Sequence, residues 1–87
     1  MHEMGIASSV LEAVHKELHR HPRHRATKVG LRIGEYAGVD RESLHFCFEA
    51  LVKDTEFEPL DLAIESAPGD ELDFAYLELE DKEEAPV

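Results

Sequence analysis

The residues with the clearest chemical potential open the chain, Met1-His2-Glu3. The His2 imidazole lies one peptide unit from the α-amine of Met1, and so large a residue in second place disfavours removal of the methionine. The Met1 amine, the deprotonated amide nitrogens of His2 and Glu3, and the His2 imidazole present their nitrogens in one tight arc. A tetragonal nitrogen set of this kind suits Ni(II) or Cu(II). Intrinsic affinity alone favours copper and ranks zinc near nickel, so the spacing defines a site and leaves the metal open. The competing reading is a histidine of no consequence in a frayed terminus.

Other reactive side chains are weaker candidates. His15, His19, His21 and His24 gather where a first helix should end, and His15 and His19 stand one helical turn apart, close enough to share an ion. No His-Glu-x-x-His pattern accompanies them, so they read as a solvated, partly basic face and are not counted as ligands. Cys47 is the only cysteine, which excludes an intrachain disulfide and a structural zinc site built from several thiolates. It falls on an apolar stripe, where a free thiol behaves as a small apolar side chain. The carboxylates of the second half are bracketed by no histidine, serine or glycine-rich element that hydrolysis or phosphate binding would need. No catalytic constellation emerges, and an enzyme is not expected.

The elements that must position His2 follow from length and pattern. A chain of 87 residues fits one domain with one modest core. Its formal charge of -11 makes nucleic acid an improbable partner. The acidity belongs to the second half: residues 1 to 53 carry eight Lys and Arg against seven Asp and Glu, and residues 54 to 87 carry one against thirteen. Without a signal-like start or an apolar run near the ~20 residues needed to span a bilayer, a cytoplasmic protein is expected, with no membrane partner.

Met4, Ala7, Val10, Leu11, Val14 and Leu18 recur at helical spacing, predicting a helix from about Gly5 to Arg20. Pro22 ends it and leaves His19 to Arg25 as an exposed connection. Val29, Leu31 and Ile33 alternate as a strand within Thr27 to Glu35. Asp40 is placed to cap a second helix whose buried stripe is Leu44, Cys47, Phe48, Leu51 and Val52, with Val39 and Leu44 as a staple. After Pro59, Leu60 to Ile64 reads as a second strand and Leu72 to Glu80 as a third, joined by Pro68-Gly69-Asp70 into a hairpin. The apolar parity switches between Phe74 and Leu77, which predicts a bulge near Ala75 and Tyr76. The tail Asp81 to Val87 should fray. The expected fold is α+β, a two-layer sandwich with two helices on one face of a three-stranded sheet.

Met-His-Glu-Met at the start, Leu31-Arg32-Ile33-Gly34-Glu35, Asp40 before a helix, and Ser43-Leu44-His45-Phe46-Cys47-Phe48 together resemble the HypA-type hydrogenase nickel-incorporation proteins over nearly the whole chain. The resemblance implies a metallochaperone for nickel-iron hydrogenase, in some organisms also for urease. It implies Ni(II) held by Met1, His2 and Glu3 through nitrogen donors, with Asp40 near the metal as well as capping its helix. The implied partners are the hydrogenase large-subunit precursor and a maturation GTPase. The family carries a zinc-binding domain with two Cys-x-x-Cys pairs between its last two strands. Here a short turn over residues 66–71 stands in that place, so no zinc is expected, and residues 1–87 form a single nickel-binding domain. Two alternatives remain at this level: a metal-independent interaction scaffold descended from the same family, and a hairpin-exchanged dimer in place of a monomer.

Overall fold

The computed structural model describes residues 2–82, so Met1 and residues 83–87 of the tail lie outside the described residues. The element order is α1 (Glu3–His19), β1 (His24–Gly34), α2 (Arg41–Val52), β2 (Asp61–Ala67) and β3 (Leu72–Asp81). The expected class holds: both helices pack on one face of a three-stranded sheet.

Helix α1 turns Ala7, Val10 and Val14 inward, with Leu11 and Leu18 packed at the edge of the core. Its first turn is rotated from the expected stripe, since Ile6 reaches the core and Met4 is 48% exposed. Helix α2 buries Leu44, Phe48 and Val52, while Cys47 and Leu51 are half-buried against the same cluster. Between them and the sheet lie Val29, Leu31 and Ile33, all but fully buried on β1. Arg41 pins the start of α2 to the sheet by donating to Ser66 Oγ at 2.8 Å and to the Ile33 carbonyl at 3.4 Å.

The expected hairpin does not form. The strand order is β2-β1-β3, with β1 parallel to β2 and antiparallel to β3. Helix α2 is therefore the crossover of a β-α-β unit, as parallel neighbours require. The Pro68-Gly69-Asp70 turn steps across the end of β1 and does not close on itself. The Gly34 amide donates to the Glu71 carbonyl at 2.7 Å, the Glu35 amide to Ala67 at 2.9 Å, and the Tyr36 amide to Gly69 at 2.8 Å. Strand β1, the strand with the most buried residues, lies centrally, where both edges are paired, and local turn chemistry carries no information about that choice.

Strand β1 also begins at His24, earlier than Thr27, because the end of β3 offers it partners. His24 and Arg25 pair in register with Asp81 and Glu80, with ion pairs of 2.9 Å and 2.6 Å. The predicted bulge is present: the register passes from Gly30↔Tyr76 to Leu31↔Phe74, leaving Ala75 unpaired. That extra residue keeps Leu72, Phe74 and Leu77 opposite Ile33, Leu31 and Val29 despite the switch in parity, and a second register shift, which skips Thr27 of β1, sets Leu79 opposite Ala26.

The solvent face explains the uneven charge. On β1, Lys28 and Arg32 alternate with the core residues. They pair with Asp61 and Glu65 on β2 and with Glu78 and Asp73 on β3, so acidic rows flank a basic row.

Candidate metal centre

The N-terminal end of α1 lies against the loop that leads into α2. Helix α1 begins at Glu3 and not near Gly5, which makes His2 its N-cap residue, extended at φ -89 and ψ 96. The His2 carbonyl accepts from the Ile6 amide at 3.1 Å, while its side chain makes no capping hydrogen bond and is exposed. His2 is thus anchored through its backbone and free through its ring.

This placement bears on the ligand set. The first four amides of a helix have no acceptor within the helix, so the amides of Glu3 and its neighbours are not committed to the ladder. A bare cation is disfavoured at this positive end of the helix dipole. Loss of the two amide protons would cancel the charge of a divalent ion and so remove that disadvantage, and imidazole with amide nitrogens would match a tetragonal ion.

Glu3 contributes a second device. Its Oε2 accepts from the Asp40 backbone amide at 3.0 Å, across 37 residues of sequence. This hydrogen bond, then one from its own amide, holds the Glu3 carboxyl below the usual glutamate range. Asp40 in turn accepts from the Ser43 amide through Oδ1 at 3.1 Å, and its carbonyl accepts from the Leu44 amide at 2.9 Å. The expected cap is therefore present. The route by which Asp40 reaches the N-terminus is its backbone amide, because the carboxylate is occupied with its own helix. Two positive helix ends meet here, and Glu3, Asp40 and Glu42 supply the carboxylates that offset them.

Of the sequence-derived site residues, the structure brings Glu3 and Asp40 into contact, with His2 adjoining Glu3 in the chain, and leaves Met1 outside the described residues. Among the described residues no group of three or more His, Cys, Asp or Glu side chains is arranged to hold a metal.

Beside His2 runs an apolar groove of about 530 Å³ lined by Gly5, Ile6, Ser9, Val10, Leu72 and Phe74. Leu72 and Phe74 remain 39% and 41% exposed because neither helix covers the start of β3. The pattern placed both in a strand, and only the sheet order carries them to the N-terminus of α1. No helix among the described residues is long and apolar enough to cross a membrane.

The family described as hydrogenase/urease nickel incorporation, metallochaperone, HypA matches residues 1–71. The hydrogenase maturation factor HypA of Chlorobium phaeobacteroides is 44% identical over 64 residues, covering 74% of this chain and 57% of that protein. That of Chlorobaculum tepidum is 44% identical over 69 residues, covering 79% and 61%. The solution structure of the Ni metallochaperone HypA from Helicobacter pylori superposes with a TM-score of 0.60 at 24% identity, over 75% of this chain and 58% of that one. That likeness concerns the fold. The chain spans 57% to 61% of the length of these relatives. With the family match covering α1 through the turn before β3, and relatives well above 30% identity, this chain belongs to the HypA family, whose members are named as nickel-incorporation metallochaperones and not as enzymes.

Proposed function

We propose that the chain carries Ni(II) at its N-terminus and delivers it during maturation of a nickel-iron hydrogenase or a urease. In this reading the Met1 amine, the His2 imidazole and the amide nitrogens of His2 and Glu3 capture the ion. Glu3 and Asp40 hold the α1 terminus against the α2 terminus so that the nitrogen arc has a fixed base. The observation that carries the reading is the position of His2, a ring free of internal bonds at a helix mouth whose amides lack helical acceptors, in a chain of the HypA family.

Nickel is cargo here and must be released, which suits a site open to solvent. The receiving partners are a hydrogenase large-subunit precursor and a maturation GTPase, met in the cytoplasm. Residues 1–87 act as one nickel-binding domain without zinc. The family match ends at residue 71, inside the turn that replaces the zinc-binding insertion, and β3 resumes the sheet directly after it.

Calorimetric titration of the untagged protein with Ni(II) tests the site, alongside His2→Ala and a form extended by one residue before Met1. The expected result is one tightly bound ion, lost in both variants. Binding of unchanged strength in either would overturn the assignment. Capture of the precursor or GTPase that is indifferent to nickel and to His2→Ala would instead establish the metal-independent scaffold.

A further inference from the structure

The far end of α1 holds a histidine pair that the nickel reading does not use. His15 and His19 are both exposed, and their Nε2 atoms lie 3.2 Å apart with ring planes at 89°. We propose that this pair is a second, weaker binding site for a divalent ion of the nickel, copper and zinc group. It is independent of the N-terminal site.

The separation itself is the first argument. Two nitrogens each about 2.05 Å from one ion and 3.2 Å apart subtend roughly 100° at it. That lies between the ~90° of tetragonal and the ~109° of tetrahedral ligands. The two Nε2 atoms lie within hydrogen-bond distance, and which of them carries a proton depends on the tautomer. Binding requires each neutral ring to carry its proton on Nδ1, which leaves both Nε2 lone pairs available with no net loss of protons. Each ring must also turn so that its lone pair points off the line between the two nitrogens and toward the ion.

The surroundings favour a cation. His19 is the last residue of α1, so the pair lies at the negative end of the helix dipole, where a positive ion is stabilised. The two rings line a cavity of about 330 Å³ whose wall includes Glu56, Phe57, Glu58 and His24 together with Arg25 and Lys82, of which Arg25 is paired with Glu80. Phe57 packs its ring edge against His15 with centroids 6.1 Å apart, which restrains that imidazole. The two glutamates offset the Lys82 charge at the rim, Glu58 while accepting from the Asp54 amide at 3.3 Å. Two protein nitrogens leave the remaining positions to water, so affinity is modest and the choice among these metals broad. Thirteen residues of helix separate His15 from His2, about 20 Å at 1.5 Å per residue, so one ion cannot bridge the two sites.

The test is titration of the untagged chain with Ni(II), followed by calorimetry and by the imidazole proton signals, in wild type, His2→Ala, His15→Ala and His19→Ala. Expected is a second, weaker step in wild type that survives in His2→Ala and weakens about tenfold or more in each of the other two, because one imidazole alone forfeits the chelate. Ni(II) completed by water is six-coordinate and paramagnetic, so the His15 and His19 signals should broaden while that step fills. An unchanged strength of the step in His15→Ala or in His19→Ala, or its absence from wild type, overturns the proposal. Loss of only the tighter step in His2→Ala bears on the N-terminal assignment and leaves this one untouched. Both alanine variants lie on the exposed face of α1, and an unchanged far-ultraviolet spectrum verifies that they fold.

Discussion

At the scale of single residues, Glu3 joins the N-terminal ends of the two helices. Its carboxylate accepts from the Asp40 amide, so the charged form is favoured in the folded state and its pKa is depressed. A depressed folded value means that the contribution is fully present above the unfolded glutamate value and is lost as pH falls through the folded one. Glu3→Gln should therefore lower the melting temperature at neutral pH, and the gap to wild type should close progressively on acidification below the ordinary glutamate range. Parallel thermal melts across pH check this, and a gap independent of pH would remove the charge from the account. Asp40 illustrates how one side chain can satisfy one expectation and redirect another. Its carboxylate caps α2 through Ser43, leaving the backbone amide as its link to Glu3.

At the scale of elements, the turn between β2 and β3 depends on the end of β1. A Cβ added to Gly34 would fall 2.3 Å from the Gly69 carbonyl oxygen and 2.7 Å from the Glu71 nitrogen. Both are backbone atoms and cannot swing aside. Gly34→Ala should push residues 67–71 off the strand end, breaking the hydrogen bonds from Gly34, Glu35 and Tyr36. A loss of roughly 2 kcal/mol or more is expected by urea denaturation, in the range of backbone collisions that a structure cannot relax. Gly30 faces a softer obstacle, the Tyr76 ring, whose atoms lie 2.1 to 2.5 Å from such a Cβ. Gly30→Ala should cost less, since a side chain on the solvent face can rotate away.

At the scale of the whole molecule, β3 is held along its length by β1, from Ile33↔Leu72 to His24↔Asp81, and makes no ladder with β2. A dimer made by exchanging a β2–β3 hairpin has no such unit to exchange. It would have to strip β3 from β1 and uncover Val29, Leu31 and Ile33. Sedimentation equilibrium of the metal-free protein should accordingly give a monomer. A stable dimer at micromolar concentration would show that the uncovered stretch at Leu72 and Phe74 finds a partner in a second copy.

Sequence by itself determined both helices, because a 3.6-residue apolar period and the Asp40 cap are local signals that packing then reinforced. It also determined the apolar face of β1 and the bulge at Ala75, since an alternating pattern can change parity only by adding a residue. His2 and Glu3 were legible as candidate metal ligands, being adjacent in the chain. Sheet order was not legible. Pro68-Gly69-Asp70 is compatible with a hairpin and equally with a turn over a third strand, and the choice depends on how β1 buries its edges across the whole domain. Tertiary structure also decided that Glu3 meets Asp40 through a backbone amide, that Leu72 and Phe74 flank His2, and that His15 and His19 turn their Nε2 atoms toward each other. Each depends on distances between residues far apart in sequence, or on a rotamer set by neighbours, which a period or a motif does not encode.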